Sequence, residues 1–286
     1  MIRCRQIEAG DLDAVAELLC RGFAGRTRDY WGAGLRRQAE RTIPQGFPRF
    51  GYLLDYEGRP VGVLLSIYSA QHRDGVASVR CNLSSCYVEP AFRNYAPMLG
   101  KMAHREADVV YLNISPASWT LQAIETQGFH RYCGGIFFSL PALSPAEKGM
   151  RVEIIGSENL PIEGLTDAIA ALLSRHAGYG CLSLACRAAD GRVFPFVLQP
   201  MRIGGLPLPA MQMIYCADVA DYPACAGALG RFLLKRGRIS IALDANGHLD
   251  DLIGFYRAPL GCKYFKGPER PRLADLSDTE LVIFGP

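Results

Sequence analysis

Apolar and polar positions along this chain switch repeatedly between a period of two and a period of 3.6, and each switch marks an element. Residues 2–7 read as a short strand. Asp11 then caps a helix whose Leu12, Val15, Leu18 and Leu19 recur at helical spacing. A second helical stretch covers about 30–42 and is broken by Pro44. Residues 52–56 and 61–69 alternate as strands around Glu57-Gly58-Arg59-Pro60, a hairpin pattern. Residues 76–88 form a long third strand that Pro90 ends. A helix over 97–106 places Met98, Leu99 and Met102 on one side. A strand over 109–114, a helix over 116–126 with Gly128 as its C-cap, and a strand over 132–140 follow.

The second half repeats much of this order. It predicts a strand over 151–155, an amphipathic helix over 165–175, and strands over 181–186 and 193–203 around the turn Asp190-Gly191. A third meander strand covers 211–216, a helix 222–235 and a strand 239–243, with a short helix near Asp251 and a last apolar stretch at 281–284. A repeat of about 140 residues is too long for a solenoid and fits two similar domains. The expected architecture is α/β (α+β): residues 1–140 and 150–286, each a mixed, mostly antiparallel sheet flanked by helices, joined by a linker at 141–149.

Composition narrows the function classes. The 286 residues suit two domains at about 150 residues each. With 49% hydrophobic and 21% charged residues, the chain is neither disordered, collagen-like nor a coiled coil. A net charge of +3 is too weak a bias to imply nucleic acid or a membrane surface. No run of eighteen apolar residues exists, and the early arginines are not followed by the apolar core of a signal peptide, so a cytoplasmic protein is expected. The ten cysteines contain no C-x-x-C. Cys81 and Cys86, like Cys181 and Cys186, are five apart, which puts each pair on opposite faces of a strand. The histidines, His72, His104, His130, His176 and His248, are scattered. The cysteines therefore read as core residues in a reducing compartment, and no metal site is expected.

Two segments carry a family resemblance. Val88-Glu89-Pro90-Ala91-Phe92-Arg93-Asn94, between the long strand and a helix, resembles the acyl-CoA turn of GNAT acetyltransferases. Ala123-Ile124-Glu125-Thr126-Gln127-Gly128-Phe129 resembles the end of that family's next helix. The element order is similar to the GNAT fold across about residues 1–140, and the second half resembles it by topology. The stretch from Lys263-Tyr264-Phe265-Lys266-Gly267-Pro268 through Arg272-Leu273-Ala274-Asp275-Leu276 to Thr279-Glu280 resembles the C-terminus of uncharacterised bacterial proteins described as acyl-CoA acyltransferases.

The resemblance implies acetyl-CoA or another acyl-CoA as co-substrate, an amine as acceptor, and neither nucleic acid nor membrane as partner. It implies that the strand carrying Cys86 and Val88 splays from its neighbour and hydrogen-bonds the pantetheine. It implies that Arg93 and the amides of Asn94, Tyr95, Ala96 and Met98 hold the pyrophosphate, as helix N-termini hold anions. The sequence also departs from the family. Ala96 stands where the family's first glycine is usual, Met98 stands at its last small position, and Pro97 removes a donor. The positions of the family's CoA-holding Asn and thiolate-protonating Tyr fall on Ala117 and Ile124, with Ser118 a weak substitute for the Asn. Residues 76–88 carry no carboxylate, which leaves Glu89 as the nearest base and Tyr87 or Tyr95 as candidate acids.

Three readings result: an acyl-CoA N-acyltransferase, a catalytically degenerate GNAT-like binding or regulatory protein, and a protein whose second domain holds the site. Residues 221–230, from Asp221 to Gly230, offer a second small-residue turn, suited equally to phosphate approach and to close helix packing. Lys263, Tyr264, Lys266, Arg270 and Arg272 form the strongest basic cluster, suited equally to an anion and to solvent. Asp244-Ala245-Asn246-Gly247 reads as a turn after a strand.

Overall fold

The computed structural model describes residues 1–73, 76–158, 161–203 and 206–285. In chain order the elements begin with β1 (Ile2–Gln6), α1 (Leu12–Gly22), α2 (Arg28–Glu40), β2 (Gly51–Tyr56), β3 (Arg59–Arg73), β4 (Val76–Val88), α3 (Ala96–Ala103), β5 (Val109–Asn113) and α4 (Leu121–Thr126). They continue with β6 (His130–Cys133), β7 (Gly135–Ser139), β8 (Arg151–Ile155), α5 (Asp167–Gly178), β9 (Leu182–Arg187), β10 (Val193–Ile203) and β11 (Leu206–Cys216). The last are α6 (Tyr222–Leu234), β12 (Ser240–Ala245), β13 (Gly254–Arg257), β14 (Lys263–Lys266) and α7 (Glu280–Ile283). Contacts divide the chain into unit 1, Met1–His130 with Tyr264–Arg270 and Asp278–Gly285, and unit 2, Arg131–Lys263 with Pro271–Ser277.

Local chemistry sets the elements of unit 1. Asp11 accepts from the Glu8 amide at 2.8 Å and from Arg5 at 2.7 Å, which fixes the entry to α1. That helix buries Val15, Ala16, Leu18 and Leu19, its 3.6-period stripe. Thr27 caps α2 by accepting from the Tyr30 amide. Glu57 and Gly58 both have positive φ, as a tight two-residue hairpin turn between β2 and β3 requires. The sheet runs β1-β2-β3-β4-β5-β14-β6, antiparallel throughout β1 to β4, parallel between β4 and β5, and antiparallel between β5 and β14.

The sheet of unit 2 runs β13-β7-β12-β11-β10-β9-β8 and has the same centre: an antiparallel meander, one parallel step from β11 to β12, and an antiparallel strand after it. Its core gathers Phe137, Phe196, Leu198, Met213, Leu229 and Leu243 under α6.

The ends of the two units differ from expectation. Residues 132–140 are not one strand: the chain changes sheet at Gly134-Gly135, so β6 belongs to the first sheet and β7 to the second. A Cβ on Gly135 would come within 2.4 Å of the Arg257 carbonyl, so the close approach of β7 and β13 needs glycine there. In the second sheet, the place beside β12 is filled by β7, which precedes that sheet's other strands in sequence. In the first sheet, the place beside β5 is filled by β14, which follows that sheet's other strands. The segment near Asp251 is a turn rather than a helix and leads into β13. Residues 141–149, expected as a linker, lie within unit 2, where a short helical turn over Pro141–Leu143 packs on α6.

Among the described residues no helix is long and apolar enough to cross a membrane. Cys81, Cys133, Cys181, Cys186, Cys216 and Cys225 are buried, as core cysteines are, while Cys86 is exposed.

Candidate functional site

The parallel pair at the centre of unit 1 comes apart. β4 and β5 are in register from Val79 opposite Val109 to Asn82 opposite Leu112. Beyond that point β4 continues to Val88, paired only with β3. Between Leu83 and Cys86 a bulge adds one residue to β4, because Ser66 faces Leu83 and Leu64 faces Cys86. Residues 83–88 therefore present one edge to a wedge rather than to a strand. Asn82 sits at its apex: its amide nitrogen donates to the Leu112 carbonyl at 3.4 Å, and its oxygen accepts from the Glu280 amide at 2.7 Å.

That last contact brings the C-terminal segment of the chain to the wedge. Asp278 accepts from Arg41 at 3.2 Å, and both side chains are buried. Arg37 donates to the Ile283 carbonyl at 3.1 Å and the Tyr30 hydroxyl to the Gly285 carbonyl at 3.3 Å. Phe284 packs on Trp31 at 5.6 Å between ring centres and fills the space left by Gly34, where a Cβ would clash with its ring. The Glu280 carboxylate accepts from the Ser115 hydroxyl, just past β5. The Ser84 hydroxyl of the bulge also faces it, and Ser84 Oγ is buried without a hydrogen bond of normal geometry. Burial pushes the Glu280 carboxyl above the usual carboxylate range, and the two hydroxyls oppose this only in part.

The residues expected from sequence surround the far end of β4. Val88, the last residue of β4, is buried opposite Gly62, and Cys86 is exposed two residues earlier. Packing around Cys86 Sγ pushes the thiol up to about 11, so nothing activates it as a nucleophile. Glu89 is tied down: Arg21 donates to Oε1 at 3.0 Å, and Arg59 reaches both oxygens at 3.2 and 3.1 Å. The nearest base expected from sequence is thus ion-paired to two guanidinium groups. Arg93, Asn94 and Tyr95 are exposed in a short helical turn, Pro90–Tyr95, that runs directly into α3. There the Ala96 amide is already bonded to the Arg93 carbonyl, and Met98 is exposed on the first turn of α3. Ser118 is exposed before α4, Ile124 is buried, and the Ala117 carbonyl accepts from Thr120. The sequence therefore brings Cys86, Val88, Glu89 and Arg93 to one strand end. It gave no chemistry to Asn82, Ser84, Ser115 or Glu280. The bulge leaves a faint signal, two adjacent serines in a strand interior, and Thr279-Glu280 enters only as part of a resemblance.

Unit 2 has the same fork, with β11 and β12 in register from Ala210 opposite Ser240 to Gln212 opposite Ala242. Here the chain itself fills the opening. The Cys216 amide donates to the Ala274 carbonyl at 3.0 Å, the Leu276 amide donates to the Ile214 carbonyl at 2.7 Å, and Tyr215 pairs antiparallel with Asp275. The small residues of α6 serve packing: Cβ atoms on Gly227 and Gly230 would meet Pro145 and Ala142 backbone at 2.2 and 2.1 Å. The basic cluster is dispersed. Lys263 is buried against Asp244 at 2.7 Å, Lys266 donates to the Gln127 carbonyl at 3.0 Å, and Arg272 is bonded to Asp275 and the Ala217 carbonyl. Among the described residues, no three His, Cys, Asp or Glu side chains are grouped to hold a metal ion.

A meander, a parallel pair that forks, and a helix entering beside the fork define the GNAT fold. Solved structures agree. The chain is similar to a GCN5-related N-acetyltransferase from Anabaena variabilis ATCC 29413, at 12% identity and a TM-score of 0.62, over 93% of this chain and 72% of that one. It is also similar to a GCN5-related N-acetyltransferase from Kribbella flavida, at 12% identity and a TM-score of 0.55, over 96% of this chain and 72% of that one. No family model matches the chain, and no curated protein does. The protein thus has two tandem GNAT-like domains: among the described residues, 83–88 of β4 have no strand on the fork side in unit 1, whereas the fork of unit 2 is closed by its own backbone.

Proposed function

We propose that the chain is an acyl-CoA-dependent N-acyltransferase whose working site is the wedge of unit 1. The observation that carries this reading is the contrast between the forks. Residues 83–88 of β4 have no strand on the wedge side, among the described residues, whereas the matching edge of β11 is bonded to Ala274 and Leu276. An extended thioester arm needs such an unpaired edge to hydrogen-bond. The backbone around Cys86 and Val88 would hold the pantetheine. Arg93 and the donors from Asn94 to Met98 would meet the pyrophosphate, with Ser118 on the neighbouring turn. The fit is partial, because Pro97 and the bonded Ala96 amide remove donors from the cradle. Arg93 therefore carries more of the charge recognition than the backbone does. Glu89, held on both oxygens, organises Arg21 and Arg59, and Tyr95 remains the exposed hydroxyl nearest the cradle in sequence. The reaction joins an amine to the acyl carbon and releases CoA thiol, in the cytoplasm.

Calorimetric titration of acetyl-CoA and longer acyl-CoAs tests this. Binding is expected, and R93A is expected to weaken it by about tenfold, the scale of one charge-assisted phosphate contact. No binding at millimolar concentration would refute the reading. The second reading, a GNAT-like binding or regulatory protein, draws on the buried Ile124 and the bonded Ala117 carbonyl, where the family resemblance would put an acid and an amide. Binding without CoA release across a panel of primary amines would favour it.

A further inference from the structure

We infer that Glu280, carried into the wedge of unit 1 by the C-terminal segment, is the general base of the acyl transfer. This rests on the reading of unit 1 as the acyl-CoA site. β4 itself has no carboxylate, and Glu89 at its end is consumed by two guanidinium groups. The carboxylate that does reach the wedge comes from 165 residues beyond Ser115, its hydrogen-bond donor. Its surroundings are those of a working base. The residue is partly exposed, and the protein packed about its carboxyl favours the neutral form. The groups that face it are the Ser84 and Ser115 hydroxyls and, from α2, the Tyr30 phenol. Arg37 is turned to the Ile283 carbonyl, and Arg26 lies over the Tyr30 ring at 4.3 Å.

The placement is fixed from both sides of the residue. The Asn82 oxygen holds its amide, and the buried Arg41–Asp278 pair anchors the chain two residues before it. In the step, the amine nitrogen attacks the thioester carbonyl carbon as the C–N bond forms and the C–S bond breaks. Glu280 takes the proton leaving the nitrogen. The CoA thiolate then takes that proton from Glu280, which returns to the carboxylate.

The test compares wild type, E280Q and S115A by acetyl-CoA titration and by CoA-thiol release with a panel of primary amines. General bases contribute roughly 10²–10⁴-fold. E280Q is expected to lose at least about a hundredfold in kcat while its acetyl-CoA Kd stays within about twofold. S115A removes a bond that favours the charged form, so the acid limb of its pH–rate profile moves to higher pH. E280Q turning over as fast as wild type, or S115A leaving the acid limb in place, would overturn the inference alone. Tighter acetyl-CoA binding and faster turnover in E280Q would also overturn it, since the side chain would then obstruct the wedge. Wild type that binds no acyl-CoA would instead overturn the reading beneath it.

Discussion

Two carboxyl groups packed within the fold differ in their partners. Glu280 has a raised pKa with serine hydroxyls for company. The fold binds its proton more tightly than the unfolded chain does, so stability falls as pH rises from the ordinary glutamate range through the raised value. E280Q is therefore expected to be more stable than wild type at pH 7, with the gain vanishing below about pH 4, where both states carry the proton. Thermal melts at the two pH values read this directly, and a less stable E280Q at pH 7 would contradict it. Burial pushes the Asp244 carboxyl up as well, but there Lys263 opposes the shift at 2.7 Å, and Oδ2 has no hydrogen-bond partner. K263M should cost roughly 3–5 kcal/mol in urea denaturation, because it strands a carboxylate in the core of unit 2. Replacing both residues, as D244L/K263M, should recover most of that loss.

Packing between elements explains which parts of the fold the sequence makes readable. The α1 stripe, the hairpin at Glu57-Gly58 and the positive-φ Gly128 just past the cap of α4 depend on neighbours within a few residues, and each falls where the pattern points. The run at 132–140 is apolar and alternating, so nothing local distinguishes one strand from two in different sheets. Only the pair Gly134-Gly135 hints at the break. The small residues of α6 suit a phosphate or a close backbone equally well as a pattern. Contact decides it, since Pro141, Ala142 and Pro145 lie against Gly227 and Gly230. G230A is expected to destabilise unit 2 by about 1–3 kcal/mol through overpacking against rigid backbone. A G230A protein with wild-type stability in urea would show that the helix is less tightly seated.

At the scale of the molecule, the C-terminal residues give the two forks different fates. Residues 274–276 pair with β11 and close the fork of unit 2, and residues 278–285 bring a carboxylate to the fork of unit 1. Sequence could not foresee this, because the partners of Glu280 lie at positions 82, 84 and 115. Pairings that distant leave no periodic trace. What was legible was the duplicated order of elements and the strand end at Cys86 to Arg93. What was not was the source of the base, because it comes from the chain terminus and not from the meander. The Gly34–Phe284 contact offers a control on this arrangement. G34A should displace the ring and loosen the segment, and it should lower kcat with acetyl-CoA affinity within about twofold, since the helix propensity of the site itself only improves.

The most direct measurement is a crystal structure of the chain soaked with acetyl-CoA. A working site in unit 1 requires an extended ligand along β4 past Asn82, its phosphates toward Arg93 and its thioester within reach of Glu280. A ligand lying along β11 in unit 2, or a wedge in unit 1 that stays closed to acetyl-CoA at millimolar concentration, would contradict it.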